Sequence, residues 1–344
     1  MIGGWQFYAP VAFFISLGVC VLIARFGAKD VPDGGRKDHA RPTATLGGLG
    51  IAAGFYAALA VGAYLGGGNS ISTGISLSVP AEDHFLLFGF AAVFLLIGLV
   101  DDLKPMPARL KLVLLMSTSA AACWVGWHVY DLESGLEHSW LIALALVAGG
   151  TLWVFVLTNA TNFMDGSNGL AMGSAAIMLL ALGAILEPMT ELVWAIAGFL
   201  VLNLTGRLFA GDTGALFVGF LLSAFSLLGA YWGLYSIWLP PLMALPFLTD
   251  IILTIVWRAR RGGNVMQAHN DHAYQLLRRA GWSHIEVAGL WWVMSAICGG
   301  LAVSGYIWLD AMAQCFMFLA MLAISIVLWT VHRRAHMRGP HAAA

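Results

Sequence analysis

Residues 85–102 read FLLFGFAAVFLLIGLVDD, an apolar run from Phe85 to Val100 that ends in two adjacent carboxylates. A helix that crosses a bilayer needs about 20 consecutive, predominantly apolar residues. Lipid offers no hydrogen bonds to backbone amides, so a run of this kind forms a helix rather than a strand. The stretch therefore predicts a membrane-spanning helix that carries Asp101 and Asp102 at its C-terminal end.

The whole chain has the composition of an integral membrane protein. Of its 344 residues, 60% are apolar and 10% are charged, against about 45–50% and about 25% in soluble domains. The four cysteines stand alone in apolar stretches, and we interpret them as small buried residues. This composition excludes a secreted disulfide scaffold, a disordered tail protein and a basic nucleic-acid binder, so we expect no nucleic-acid partner.

Eleven apolar stretches follow one another along the chain. They lie near 5–25, 47–66, 85–100, 110–130, 140–157, 169–186, 190–207, 214–232, 236–256, 286–306 and 310–331. We therefore expect an all-α, polytopic membrane protein with about 11 transmembrane helices that forms a single domain over residues 1–344. The first stretch has no basic segment before it, so we interpret it as a span rather than as a signal peptide.

The basic residues indicate the orientation of the chain. All 17 Lys and Arg follow odd-numbered spans, whereas the breaks after even-numbered spans carry acidic residues and neither Lys nor Arg. Basic residues near span ends are retained on the cytoplasmic side of a membrane. We therefore expect the N-terminus outside, the C-terminus inside, and every cluster of chemically active residues on the cytoplasmic face.

The first inner loop, residues 36–48, is basic and then turn-forming. Its cations Arg36 and Lys37 suit a phosphate group, and Gly47 and Gly48 allow close approach of the backbone. We take Arg36, Lys37 and Thr43 as candidate substrate contacts. A plain cytoplasmic loop with a Pro/Gly turn is the alternative interpretation.

The second inner break carries Asp101 and Asp102. Acidic residues at a membrane edge are costly and usually functional. A pair of them can share its charge with Mg²⁺ or with a proton that is being moved. The alternative is a solvated helix end at which Lys104, Arg109 and Lys111 neutralise the two acids.

The third inner break, residues 159–170, is the most unusual segment of the chain. It contains three Asn, one Asp and two Gly but neither Lys nor Arg. Carboxylate and amide groups suit a hard cation, a sugar or a base, although each residue type is also common in turns. In the fourth break, Asp212 between two glycines either caps the next helix or completes a metal site with Asp101, Asp102 and Asn168.

The longest inner loop, residues 257–285, contains a short amphipathic helix that Gly281 ends. His269 and His272 lie three residues apart at the start of this helix. Zinc is one ligand for such a pair, but no Cys or Glu with catalytic-zinc spacing accompanies it. We favour phosphate binding by these histidines together with Arg258 and Arg278.

In this order, and on one side of the membrane, these blocks resemble the polyprenyl-phosphate N-acetylhexosamine-1-phosphate transferases of glycosyltransferase family 4, in their O-antigen-initiating branch. The resemblance covers nearly the whole chain and rests on residues 36–48, 101–102, 159–169, 211–214 and 269–275. It implies transfer of a sugar 1-phosphate from a UDP-N-acetylhexosamine to undecaprenyl phosphate, with release of UMP. It further implies Mg²⁺ as cofactor, with Mn²⁺ as the alternative, and a bacterial inner-membrane location with a cytoplasmic active site.

The resemblance also implies roles for single residues. The catalytic set is Asp101, Asp102, Asp165 and His272; the metal ligands are Asp212 and Asn168; the substrate contacts are Arg36, Lys37, Thr43, Asn162, Phe209, Arg258, His269 and Arg278. Asp101 and Asp102 match paired acids, one of which is proposed to help deprotonate or orient the lipid phosphate. Phe209 matches an aromatic residue that stacks on uracil.

The chain also departs from the family pattern. Asn168 stands where many bacterial members have Asp, and Ala215 replaces the usual Ser after the Gly-Asp-x-Gly motif. The segment 272–275 stands where many members carry a run of histidines. This difference argues against a muropeptide transferase and favours GlcNAc or a 6-deoxy amino sugar such as FucNAc or QuiNAc in the donor.

Several alternatives stay open at the level of sequence. In-line attack by the lipid phosphate is favoured, and a covalent aspartyl-phosphate is the other route. A secondary transporter would also have many helices, although transporters place ionisable residues near the bilayer midplane rather than at span ends. A non-catalytic membrane scaffold leaves the Asn/Asp/Gly break unexplained, and a homodimer through lipid-facing helices is an open option for assembly.

Overall fold

The structure, a computed structural model, describes residues 8–27, 29–30, 43–65, 81–134, 139–186, 190–264 and 269–337. Within these ranges the chain forms thirteen helices and one two-stranded antiparallel ribbon. The elements are α1 (Tyr8–Phe26), β1 (Lys29–Asp30), β2 (Thr43–Ala44), α2 (Gly47–Leu65), α3 (Ala81–Leu103), α4 (Ala108–Ser134), α5 (Trp140–Met164), α6 (Leu170–Ile185), α7 (Thr190–Asn203), α8 (Gly211–Tyr231), α9 (Leu239–Met243), α10 (Leu245–Arg260), α11 (Ala273–Arg279), α12 (His284–Trp308) and α13 (Ala311–Met337).

The predicted all-α polytopic membrane fold is confirmed. In the described residues, eight helices are long and apolar enough to cross a membrane, namely α1 to α5, α8, α12 and α13. Helices α6 and α7 are apolar but have only 16 and 14 residues, fewer than the 20 or so that span the hydrocarbon core. Each predicted span corresponds in order to one helix, except the ninth.

The ninth predicted span, 236–256, is divided between α9 and α10, which meet at Ala244. Pro246 lies in the first turn of α10. Because proline has no N–H and its ring clashes with the carbonyl four residues earlier, a continuous helix cannot pass through this position. The apolar composition of residues 236–256 predicts one continuous span, because composition alone does not reveal such a break.

Helix α8 forms the centre of the bundle. In its most apolar stretch 78% of the residues are buried, compared with 6% in the corresponding stretch of the peripheral α13. Gly98 of α3 and Gly48 of α2 lie against its first turn, where an added Cβ would come within 2.4 Å of the Asp212 carbonyl oxygen and 2.1 Å of the Gly214 nitrogen, respectively. Only glycine allows this approach, which brings the C-terminal end of α3 to the start of α8.

The segment before α8 is also tied to the segment before α2. Ala44 pairs with Leu208, and the Phe209 N–H donates to the Ala44 carbonyl at 2.9 Å. The Gly47 N–H donates in turn to the Phe209 carbonyl at 2.9 Å. These backbone hydrogen bonds fix the position of Phe209 beside the first turn of α8.

Candidate active site

Four carboxylates meet at one end of the helix bundle, and we call them the carboxylate cluster: Asp101 and Asp102 from α3, Asp165 from the C-cap of α5, and Asp212 from α8. Of the residues that the sequence offers for one site with Asp212, the structure brings Asp101 and Asp102 to it, and it adds Asp165. Such a concentration of negative charge in a partly buried place needs compensation by a cation.

Lys111 of α4 supplies part of that compensation. Its ammonium group lies 3.0 Å from Oδ2 of Asp101 and also contacts Oδ2 of Asp212. The Met106 N–H donates to Oδ1 of Asp101 at 2.7 Å, so the turn between α3 and α4 holds this acid as well. Neutralisation of the acids by Lys111 is the alternative interpretation of this break, and the structure shows such an ion pair with Asp101 and a second one with Asp212.

Asp102 caps helix α8 from a neighbouring helix. Its Oδ1 accepts from the Asp212 N–H at 3.0 Å, and its Oδ2 accepts from the Thr213 N–H at 2.9 Å and the Thr213 hydroxyl at 2.6 Å. Free N–H groups at a helix start favour such an anion. Gly211 permits this approach because its φ is +69° and a Cβ would lie 2.4 Å from Oδ2 of Asp102. Asp102 thus fixes Asp212, and both of its oxygens are engaged.

Asn162 and Asp165 complete the cluster from the end of α5. The Asn162 amide donates to Oδ1 of Asp212 at 2.6 Å. The pKa of Asp165 is raised well above its ordinary value, first by loss of hydration and then by the negative charges of Asp212 and Asp102. An acid with a raised pKa is suited to take up and release a proton near neutral pH.

The turn that carries Asn162 and Asp165 is held by residues that sequence analysis missed. The Tyr274 hydroxyl donates to the Phe163 carbonyl at 3.0 Å. At the other end of the turn, the Gly169 N–H donates to Oδ1 of Asn203 at 2.6 Å, and Trp292 Nε1 donates to the Gly169 carbonyl at 2.9 Å. No local spacing in the sequence marks these partners, because they come from three other helices.

The observed contacts of Asn168 are with His284 and Gly206. Its backbone nitrogen lies 3.4 Å from Nδ1 of His284, and its side-chain nitrogen lies beside Gly206. Within the described part of the chain, no group of three His, Cys, Asp or Glu side chains has metal-binding geometry. The assignment of Asn168 and Asp212 to one metal shell therefore stays a prediction that the observed contacts do not support.

His272 lies beside the same turn. Its ring stacks on Phe163 at a centroid distance of 6.1 Å and on Tyr274 at 6.0 Å, and the ring of His269 lies 4.9 Å away. The pKa of His269 is lowered to about 4 by burial, by the charge of His272 and by that of Arg258. His269 is therefore neutral at neutral pH, which suits a hydrogen-bonding role better than the cationic one expected for it.

Among the other predicted substrate contacts, two arginines bind groups of their own loop. Arg258 pairs with Asp271 and donates to the Asn264 carbonyl at 3.0 Å, and Arg278 donates to the Trp282 carbonyl, so both hold the loop itself. Thr43 donates to the Gly206 carbonyl at 3.5 Å and Phe209 is half-buried, while Arg36 and Lys37 lie outside the described residues.

Comparison with known proteins places this site in a family. The model of glycosyl transferase family 4 matches residues 84–230, which contain the whole carboxylate cluster. The chain is 28% identical to a probable undecaprenyl-phosphate N-acetylglucosaminyl 1-phosphate transferase of Bacillus subtilis, over 94% of this chain and 93% of that protein.

Two further relatives share another name. The phospho-N-acetylmuramoyl-pentapeptide-transferase of Synechococcus sp. is 30% identical over 66% of this chain and 71% of its own length. The protein of that name from Rubrobacter xylanophilus is 28% identical over 87% of this chain and 96% of its own length. Together with the clustered acids at the helix ends, these matches decide between enzyme and transporter. The chain belongs to the polyprenyl-phosphate N-acetylhexosamine-1-phosphate transferase family and is a multi-pass membrane enzyme that transfers a phospho-sugar.

Proposed function

We propose that the protein transfers N-acetylhexosamine 1-phosphate from a UDP-N-acetylhexosamine to undecaprenyl phosphate, which yields undecaprenyl-diphosphate-sugar and UMP. The observation that carries this proposal is the carboxylate cluster with Lys111 between Asp101 and Asp212. Both substrates are phosphate anions, so the reaction needs fixed cations at the point where they meet.

We propose a divalent cation, Mg²⁺ or alternatively Mn²⁺, as a further counter-charge in the cluster. Asp101 and Asp212 share the ammonium group of Lys111, so one positive charge from this side chain faces two negative charges. Mg²⁺ is commonly held by one or two carboxylates together with substrate phosphates rather than by an all-protein cage. Asp101 and Asp212 would hold it, and the bound cation would neutralise charge on the phosphates.

The proposed step is a single in-line displacement. An oxygen of the lipid phosphate forms a bond to the β-phosphorus of the UDP-sugar, and the bond from that phosphorus to the bridging oxygen breaks. UMP leaves with the bridging oxygen and the electron pair. Lys111 contributes positive charge at this point, while Asp102 is occupied with the start of α8 and serves to hold Asp212 in place.

We propose UDP-GlcNAc or a 6-deoxy relative as the donor, in the first membrane step of O-antigen or related surface-glycan synthesis. The single His272 followed by Ala273 and Tyr274, in place of a histidine run, supports this choice, as does the name of the Bacillus subtilis relative. The names of the other two relatives make UDP-muramoyl-pentapeptide the second candidate. We place the active site on the cytoplasmic face of the inner membrane, where basic residues are retained.

The test is UMP release by the purified protein in detergent with undecaprenyl phosphate and Mg²⁺. The donors are UDP-GlcNAc, UDP-FucNAc, UDP-QuiNAc and UDP-MurNAc-pentapeptide. We expect release with one of the first three, loss of release with EDTA, and loss in Asp212→Asn. The matched control is Asp310→Asn, an exposed helix-capping acid remote from the cluster. Turnover of the pentapeptide donor alone would replace the proposed donor by the second candidate, and turnover in EDTA would contradict the metal.

A further inference from the structure

Asp250 of α10 is a carboxylate that the proposed reaction does not use. Asp250 is only 2% exposed and lies within an apolar helix. Its Oδ1 accepts from the Ala273 N–H at 2.7 Å, from the Thr254 hydroxyl at 3.2 Å and from Trp329 Nε1 at 3.4 Å. Three donors therefore converge on one carboxylate oxygen: Thr254 of the same helix, Trp329 of α13, and Ala273, the first residue of α11.

The hydrogen bond from Ala273 brings Asp250 next to His272, the preceding residue. His272 is the N-cap residue of α11, and its Nδ1 lies 3.7 Å from Oδ1 of Asp250. A buried carboxylate is strongly unfavourable unless charges and hydrogen-bond donors compensate it. The Ala273 N–H and the His272 ring offer that compensation only when α11 begins at this place, so the burial of Asp250 restrains the position of His272.

Helix α13 also restrains the backbone of this turn. Arg333 is 4% exposed, lies 3.6 Å above the Trp257 ring and donates to the Asp271 carbonyl at 2.8 Å. His332 Nε2 lies 3.2 Å from the Ala273 carbonyl. The backbone on both sides of His272 is thus held by α10 and α13.

The position of His272 matters because its other face meets the active site. The ring stacks on Phe163, which follows Asn162 directly, and Asn162 donates to Asp212. Phe163 is 42% exposed, whereas His272 is 4% and Asp250 is 2% exposed, so Phe163 is the member of this stack that is open to the surface. A displacement of α11 would move His272 relative to the carboxylate cluster.

We propose that Asp250 is a positioning residue that acts through His272: its buried carboxylate fixes the start of α11 and thereby holds the His272 ring toward the bound diphosphate. This inference rests on the transferase function proposed above. Asp250 itself does not touch substrate. If it only stabilised the fold, its loss would reduce activity independently of His272.

The test is a double-mutant cycle with Asp250→Asn and His272→Gln, because non-additivity measures whether one residue acts through another. The readouts are kcat and KM for UMP release, and the rise in melting temperature caused by UDP with Mg²⁺, which does not depend on the donor sugar. Asparagine keeps an acceptor for the Ala273 N–H and loses the charge. Asp310→Asn, which removes the charge of an exposed capping acid, is the matched control.

We expect Asp250→Asn to lower kcat at least 10-fold with KM for the lipid within twofold, and His272→Gln to lower kcat at least 100-fold. The double variant should stay within twofold of His272→Gln, and both single variants should lose stabilisation by UDP. Wild-type kcat in Asp250→Asn, or a further 10-fold loss in the double variant, would overturn the proposal.

Two further comparisons keep the inference independent of folding and of donor identity. If Asp250→Asn does not fold, Trp329→Phe is the second variant, because it removes one hydrogen-bond donor to the same oxygen. We expect it to lower kcat about threefold when His272 is present and to have no further effect in the His272→Gln variant. An equal loss with and without His272 would overturn the proposal. If the wild-type protein releases no UMP with any donor of the panel, the proposed function fails. UDP stabilisation then still decides the inference, because it is lost in both single variants if Asp250 acts through His272.

Discussion

At the scale of the residue, the adjacent acids Asp101 and Asp102 have different environments. Asp102 accepts from both N–H groups at the start of α8, whereas Asp101 accepts from the Met106 N–H and from Lys111. In Asp102→Asn the new amide N–H would face a backbone N–H at the start of α8, so one of these donors would lose its acceptor. An unpaired buried donor lowers the free energy of unfolding by about 1–3 kcal/mol. In Asp101→Asn the remaining oxygen still accepts from the Met106 N–H, and the donor that the new amide faces is the ammonium group of Lys111, which keeps Asp212 as its acceptor, rather than a backbone N–H at a helix start.

We therefore predict that both substitutions abolish most UMP release but that Asp102→Asn melts at least about 3 °C below Asp101→Asn. The measurement is thermal unfolding in detergent, followed by the activity assay on the same samples. Equal melting temperatures would show that Asp102 does not hold α8.

Lys111 carries the second prediction at this scale. Lys111→Gln leaves Asp101 and Asp212 without the ammonium between them and removes a fixed positive charge from the reacting phosphates. Loss of one such electrostatic contact lowers turnover by about 100-fold or more. Lys104→Gln, on an exposed position at the end of α3, is the matched control and should retain activity within twofold. A similar loss in both variants would point to a general charge effect.

His269 leads to a prediction about pH. Its pKa is lowered from 6.5 to about 4, so between these values the unfolded chain takes up a proton that the folded protein refuses. Stability is lost as pH falls through this window, and no further loss from this group occurs below it. We expect the melting temperature of the wild type to fall relative to that of His269→Gln from pH 6.5 to pH 4. A constant difference over this range would contradict the shifted pKa.

At the scale of the element, the approach of α3 to α8 depends on Gly98. An added Cβ there would lie 2.4 Å from the Asp212 carbonyl oxygen, whereas a Cβ at Gly89 of the same helix meets nothing within 4 Å. Overpacking of a tight helix contact costs about 1–3 kcal/mol.

We predict that Gly98→Ala lowers the melting temperature by at least about 3 °C and displaces Asp101 and Asp102 from α8, with at least a 10-fold loss of UMP release. Gly89→Ala, which makes the same change on the same helix, should leave both quantities unchanged. An active, stable Gly98→Ala protein would mean that α3 can move away from α8 without disturbing the carboxylate cluster.

At the scale of the whole molecule, the orientation in the membrane stays a prediction from the basic residues. We expect a cysteine in place of Asp310, which precedes α13, to react with a membrane-impermeant maleimide on intact spheroplasts. A cysteine in place of Lys104 should react only after permeabilisation. The parent chain, whose cysteines are buried or half-buried, gives the background. The opposite pattern of labelling would reverse the topology and place the active site outside.

The helices were predictable because each apolar run must form a helix wherever it lies in the bundle. The break at Ala244 was missed because two short helices and one long helix have the same apolar composition. Asn168 was placed near Asp212 by family pattern, yet its observed contacts are with Gly206 and His284. The break at Ala244 follows from the local effect of Pro246, whereas the metal role of Asn168 stays a prediction.

The sequence by itself determined the helical membrane fold, the order of the spans and the set of residues able to carry the chemistry, because apolar length and residue type are local properties of a chain. Only the tertiary structure decided that Lys111 lies between Asp101 and Asp212, that Asp102 caps α8, and that Asp250 lies behind His272. Asp102 and Asp212 are separated by 110 positions. Whether two such groups meet within hydrogen-bond distance depends on how the helices between them pack, which no local pattern specifies.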